Sequence, residues 1–274
     1  MSHTEVKLFF FAALPCEAKP IIAHYQLKKL DQPHPFSLYQ SEDTALVISG
    51  TGKTAMAGAV AYSMAVFNHA PNPIIINIGI AGHSSHALGQ LLLADKITDH
   101  TSPKKTFYPQ WTGTDSIKRS ALVTLSEADF DYPLDCMVDM EASAFYEMSI
   151  RFSSMELIHC LKTVSDNSQN PGNRINAKTV SGWIAQQLSS IEQIANYLLE
   201  QQQATGFETP VLFEQLLKEY HFTVSAKIRL KALLHRWQII TDNSPLNLPD
   251  KKFNHAKLFL KWLEQQIDER EFSL

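Results

Sequence analysis

The run Ile74-Ile75-Ile76-Asn77-Ile78-Gly79 limits the folds open to this chain more than any other stretch. It is apolar without alternation. A strand with one wet face alternates apolar and polar residues. An unalternated β-branched run belongs in the middle of a sheet covered on both faces. Pro71 and Pro73 precede it and are expected to interrupt the chain there. Similar short apolar runs occupy residues 6–13, 45–49, 91–97, 121–125 and 157–164. Between them lie helical patterns over residues 17–25, 54–68 and 141–152, and a long one over 175–203. Strands alternating with helices predict an α/β fold, with a central mixed twisted sheet flanked by helices.

The character changes after the low-complexity stretch Gln201-Gln202-Gln203-Ala204-Thr205-Gly206. Residues 207–274 carry no strand run, only helical patterns over 211–220, 224–240 and 253–267. Ile228, Leu230, Leu233, Leu234 and Trp237 recur at roughly helical spacing, as a buried face requires. Two domains are expected: 1–204, and a small helical appendage, 205–274, to which the sequence assigns no role. Lys227, Arg229, Lys231 and Arg236 read as a solvated face, and a net charge of −4 lacks the basic balance of a nucleic-acid binder. Cys16, Cys136 and Cys160 have no paired spacing, which argues against a disulfide framework or a cysteine metal site. A reducing, cytoplasmic location is expected. The run Leu8-Phe9-Phe10-Phe11-Ala12-Ala13-Leu14 is short for a signal-peptide core and follows Glu5, so it reads as a buried first strand. No apolar run approaches the roughly 20 residues that span a bilayer.

Several short motifs invite a chemical reading. Gly50-Thr51-Gly52-Lys53-Thr54 follows a strand and opens a helix, like the end of a phosphate-cradling P-loop. That pattern needs an earlier glycine where Val47 stands, so the segment reads as a tight strand-to-helix turn lining some other pocket. His83-Ser84-Ser85-His86 has close histidine spacing but no neighbouring ligand set, and reads as a polar loop with no metal. In Val138-Asp139-Met140-Glu141-Ala142 two acids flank a methionine at the start of a helix. Acids are ordinary there, because the helix dipole favours them; the methionine between them is not.

Taken together, Ala12-Ala13-Leu14-Pro15-Cys16-Glu17-Ala18, Ser49-Gly50-Thr51-Gly52-Lys53, Asn77-Ile78-Gly79-Ile80-Ala81-Gly82, Met140-Glu141-Ala142 and Thr163-Val164-Ser165-Asp166 occur in one order. Over about residues 5–200 this set resembles the nucleoside phosphorylase and nucleosidase superfamily. It is most similar to the branch of 5′-methylthioadenosine/S-adenosylhomocysteine nucleosidases and futalosine hydrolases. The resemblance implies a nucleoside phosphorylase-like sheet, a small purine nucleoside as partner, a homodimer, and no cofactor, nucleic acid or membrane.

Chemistry asks for the same residue types. Cleaving an N-glycosidic bond develops an oxocarbenium-like sugar and expels a poor leaving group, in the logic of paired-carboxylate glycoside hydrolysis. Asp166 is the candidate general acid toward purine N7, and Glu17 the candidate base toward water. Glu141 is expected to hold the ribose hydroxyls and Met140 to pack on the sugar. Gly52, Ile80, Ala81, Gly82 and Ser165 are expected to complete the binding site. Ile80 stands where methylthioadenosine nucleosidases usually carry serine. The stretch before Met140 is shorter than usual, leaving Phe107, Tyr108 and Phe130 as candidates for stacking on the base. Asp139 reads as a structural or solvent-facing bystander, and Asp95 as a structural acid. Phosphorylases of the superfamily place arginines in the turn after the first strand and where Asn77 stands. Glu17 and Asn77 occupy those positions here, so hydrolysis is expected. Lys53 or Arg174 could supply a cation, which leaves phosphorolysis as an alternative beside binding without turnover.

Overall fold

The computed structural model describes residues 5–101, 105–128, 135–172, 175–205, 211–241, 244–249 and 253–270. They divide into two compact units, Met1–Ala204 and Thr205–Leu274.

The first unit is built on β5 (His69–His83). On one side β5 pairs in parallel with β1 (Val6–Ala12), which pairs in parallel with β4 (Thr44–Ile48). Antiparallel β3 (Ser37–Ser41) and β2 (Lys28–Lys29) finish that edge. On the other side β5 pairs in parallel with β10 (Ile158–Asp166), which runs antiparallel to β6 (Leu91–Asp99). β6 pairs with the short β7 (Thr106–Phe107) and in parallel with β8 (Arg119–Thr124). β8 pairs in parallel with β9 (Met137–Asp139), and β9 returns antiparallel to the end of β5, Val138 opposite Gly82. An open sheet thus shares β5 with a closed circuit of β5, β10, β6, β8 and β9.

The unalternated β5 run follows from this layering. Ile75 faces one core, with Phe9 and Phe11 of β1. Helices α2 (Lys53–Val66) and α3 (Ala142–Ser149) cover that core with Met56, Val60, Phe145 and Tyr146. Ile74, Ile76 and Ile78 face the other core with Leu8 and Phe10. There α1 (Pro15–His24), α4 (Ala177–Gln186) and α5 (Leu188–Thr205) supply Ile21, Ile184, Ile191 and Leu198. Both faces are dry, so both sets of side chains are apolar.

Besides adding the strands β2, β3, β7 and β9, the structure departs from the sequence reading at the prolines before β5 and within the long helical pattern. Pro71 and Pro73 do not break the chain before β5: the strand begins at His69, and the ladder absorbs them in an irregularity. There β1 advances from Val6 to Leu8 while β5 advances from His69 to Ile74, and a proline off the ladder needs no donor. The long helical pattern is two helices, because at Gln187 the N–H turns to Ile184 O (3.0 Å) and the last turn tightens.

The second unit comprises, among the described residues, α6 (Val211–Glu219), α7 (Val224–Ile240) and α8 (Ala256–Asp268). It has its own core of Leu216, Leu230, Leu234, Trp237, Phe259 and Leu263. Arg229 donates to Glu264 across α7 and α8, and the Arg270 guanidinium lies 4.6 Å from the Trp237 ring centroid. No helix among the described residues is long and apolar enough to cross a membrane.

Phe145 is fully buried, its ring 5.8 Å from that of Phe11. Phe145→Ala is expected to cost about 3–5 kcal/mol in urea unfolding. Met155→Ala, at an exposed position, is expected to stay within about 0.5 kcal/mol. Equal losses would contradict this division of core and surface.

Candidate active site

A cavity of about 520 Å³ opens at the carboxyl ends of β1, β5 and β10, within the size range of small-ligand sites. Such ends are where open α/β sheets place their ligands. Glu17, Asp139, Glu141 and Asp166 all line it.

Glu17 arrives there because α1 starts directly after β1. Pro15, with its preset φ and no N–H to satisfy, suits the first helical turn. Glu17 then reaches back: Oε2 accepts from Ala13 N (3.0 Å) and Leu14 N (2.8 Å), and Oε1 from Ile80 N (3.0 Å). A carboxylate has about four acceptor sites, so capacity for a water remains. Gly79 makes the close approach possible, since a Cβ there would lie 2.9 Å from Glu17 Oε1 and 3.4 Å from Lys162 Nζ.

Asp139 is structural and not solvent-facing. It is buried: Oδ1 accepts from Thr124 Oγ1 (2.8 Å), and Oδ2 accepts from Ala142 N (2.9 Å) at the start of α3. Oδ2 also pairs at 2.9 Å with Lys162 Nζ, a side chain only 2% exposed. Glu141 follows on the same segment. Its Oε1 accepts from Gly52 N (2.6 Å), the first amide of the turn into α2. Gly50 and Gly52 hold φ of +82° and +95°, values that disfavour any side chain. The P-loop-like turn therefore does bind an anion, and that anion is the protein's own carboxylate.

The charges of this cluster are coupled. Burial pushes Glu17 above the ordinary glutamate pKa, against the pull of Lys162 and of the Leu14 and Ile80 amides. Burial does the same to Glu141; Lys162 opposes it and Asp139 reinforces it. For Lys162 burial acts downward, but Asp139, then Glu141 and Glu17, outweigh it and keep the ammonium charged. One buried cation thus faces three buried acids.

Asp166 ends β10. The β10–β5 ladder shifts between Val164, opposite Ala81, and Asp166, opposite Gly82, so Ser165 is an extra residue. A bulge of this kind re-aims side chains. Ser165 and Asp166 both line the cavity, and the Ser165 hydroxyl donates to Asp166 Oδ1.

Of the other expected residues, Met140, Ile80, Ala81 and Gly82 line the cavity, while Gly52 acts through Glu141. Phe107 does not: it packs on Tyr146 at 5.4 Å between ring centroids. Tyr108 is 62% exposed and also lies away from the lining. Phe130 and Arg174 lie outside the described residues. Asn77 braces β5 to β1, Nδ2 donating to Phe11 O (3.0 Å). Lys53 is held by Asp99 at 3.0 Å. Burial favours protonated Asp99, but hydrogen bonds from the Thr101 hydroxyl and amide and from Lys53 outweigh it and hold the pKa at about 2. Asp95, expected as a structural acid, is exposed on β6, while Asp99 further along the strand accepts from Lys53, Thr101 and Ser143. In the histidine loop, His83 Nδ1 accepts from the amides of Ser85 (3.2 Å) and His86 (3.4 Å), inside its own turn.

Lys162 is the member of this buried cluster that the sequence reading passed over. The signal was a lysine inside the apolar run 157–164, since a charge in a strand buried on both faces must be paired.

No protein-family model matches the chain, and no curated protein matches its sequence. Its fold is similar to solved structures. The 5′-methylthioadenosine nucleosidase of Arabidopsis thaliana in apo form aligns with a TM-score of 0.55 at 17% identity, covering 71% of this chain and 96% of its own. A methylthioadenosine/adenosylhomocysteine nucleosidase from Colwellia psychrerythraea in complex with adenine gives 0.52 at 16%, covering 73% and 97%. Futalosine hydrolase of Helicobacter pylori gives 0.50 at 14%, covering 69% and 100%. At these identities the likeness establishes the fold, a mixed α/β sheet of nucleoside phosphorylase-like type.

Because Glu17 and Glu141 hold protons more tightly when folded, their contribution to stability is full below the ordinary glutamate pKa of about 4.3 and is lost as pH rises through the folded values. The Lys162 contribution is lost only above the ordinary lysine pKa. Glu141→Gln is expected to flatten the decline of the urea midpoint as pH rises above about 4.3; an unchanged slope would contradict the assignment. Lys162→Met leaves Asp139 buried and unpaired, and is expected to cost about 3–5 kcal/mol in the same measurement.

Proposed function

We propose that this protein hydrolyses the N-glycosidic bond of a purine nucleoside of the methylthioadenosine, adenosylhomocysteine, 5′-deoxyadenosine or futalosine kind. The observation that carries the reading is the meeting of Glu17, Glu141 and Asp166 in one cavity of nucleoside size. The fold's similarity to nucleosidases supports it. Glu141 accepts the ribose hydroxyls and opposes the positive charge that develops on the ring. Met140 packs on the sugar, with Ile80, Ala81 and Gly82 beside it. Asp166, oriented by Ser165, protonates the base at N7 as the bond from N9 to C1′ breaks. Glu17 takes a proton from water as the water oxygen bonds to C1′. The products are a free purine and a 5-substituted ribose. Lys162 fixes the acids and moderates their repulsion, which makes it a positioning residue.

Water is favoured over phosphate by charge. A phosphate dianion needs cations, typically arginines in bidentate geometry. Glu17 stands in the turn where one would sit, Lys53 is engaged by Asp99, and Lys162 is surrounded by carboxylates. Binding without turnover is the second reading, favoured by the lack of an aromatic side chain among the described lining residues. We also propose that the reaction belongs to the first unit alone, and that the protein works as a dimer.

Incubation with methylthioadenosine, adenosylhomocysteine, 5′-deoxyadenosine and futalosine is expected to release free base from at least one, unaltered by added phosphate. Asp166→Asn is expected to lower kcat by about 10²–10⁴-fold with an unchanged unfolding curve. Release from none, a phosphate requirement, or near-normal Asp166→Asn turnover would each contradict the proposal.

A further inference from the structure

A second groove, of about 450 Å³, lies between α5 and the chain from Trp111 to Lys118 that leads into β8. The reaction proposed above makes no use of it. Its wall is the pair Trp111 and Tyr197, ring centroids 5.2 Å apart and planes inclined by 55°. Tyr197 Oη donates to Thr112 Oγ1 (3.0 Å), which ties the loop to α5. Among the described residues the polar lining is Gln90, Gln187 and Gln193 with hydroxyls and Lys118, without a carboxylate. Gln90 commits its carbonyl oxygen to His86 Nδ1 (3.0 Å) and Gln187 its amide nitrogen to Gly89 O (2.8 Å). Between them they still offer donors from one and an acceptor from the other. Hydroxyl groups are both donors and acceptors, so this mixture beside an aromatic wall suits a neutral polyhydroxylated ring.

The same glutamines join this groove to the end of β10. Gly89 N donates to Val164 O (2.8 Å), and Val164 N to Gln90 O (2.9 Å). On the far side, Asn167 Nδ2 donates to His86 O (2.9 Å), and His86 holds the Gln90 side chain. Ser165 and Asp166 are therefore bracketed by two residues whose backbone or side chain is fixed from the groove. Anything that repositions Gln90 acts on both brackets. A contiguous chain of packed and hydrogen-bonded contacts of this sort is one physical carrier of coupling between sites.

We infer that the groove between α5 and the Trp111–Lys118 loop is a second small-molecule site, for a neutral monosaccharide, mechanically linked to Asp166. The consequence concerns binding, so it stands or falls separately from nucleosidase activity.

The test is titration of the full chain with D-ribose, followed by tryptophan fluorescence and by amide exchange at residues 164–167. Ribose is expected to change the fluorescence and slow exchange over that segment. Trp111→Ala and Gln193→Leu are each expected to weaken the response about tenfold or more, as loss of a stacking surface or a hydrogen bond would. Gln193 is exposed on α5, so its variant keeps the test sound if Trp111→Ala misfolds. Glu141→Gln, which alters the first cavity, is expected to leave the response intact. Loss of the response in Glu141→Gln would move the sugar to the first cavity and overturn the inference. Wild-type affinity in both groove variants, or a response to adenine in place of ribose, would also overturn it.

Discussion

The ion pair between Lys162 and Asp139 is the interaction on which the site depends. Removing an ammonium and a carboxylate from water costs several kcal/mol each, and only close geometry and further hydrogen bonds offset it. Both conditions hold. Asp139 accepts from Thr124, Ala142 and Lys162, and Lys162 lies within the field of Glu141 and Glu17 as well. The pair joins β10 to β9 at the point where β9 closes onto β5. Without the cation, three buried acids would face one another with no opposing charge. With it, two glutamates keep raised proton affinities and yet stay oriented by backbone amides.

The fold supplies the rest by ordinary means. Parallel strands end together, so turns remote in sequence meet at one rim. Gly79 lets Glu17 and Lys162 approach the β5 backbone, and glycines at positive φ present Gly52 N to Glu141. The extra residue at Ser165 turns the end of β10 so that Asp166 joins them. Each acid carries its own restraint from an N–H or O–H group. Such preorganisation is what allows a charge-stabilising site to act without reorganising during reaction.

Much of this was legible in the chain. The unalternated strand at 74–79 implied a sheet covered on both faces. The acids at 17, 141 and 166 each read locally as helix-start or turn residues, and it was the ordered set of motifs resembling nucleosidases, with the chemistry it implies, that singled them out. The hidden parts were those set by tertiary pairing. Asp139 reads locally as one more acid at a helix start; only the partner strand makes it a buried ion-pair member. Lys162 sits in an apolar run whose periodicity says nothing about which charge it meets. The prolines at 71 and 73 signal a break, but an irregular ladder removes the need for their missing donors. The short strands 28–29, 106–107 and 137–139 are too brief to carry a pattern, although the last of them closes the circuit beside the cavity.

The most direct test of the account is a crystal structure of the protein with a slowly cleaved purine nucleoside analogue. The expected result is a ribose whose hydroxyls donate to Glu141, a base whose N7 faces Asp166, and a water held by Glu17 on the opposite face of C1′. A nucleoside bound away from these three acids, or a phosphate beside Lys162 in place of that water, would contradict it.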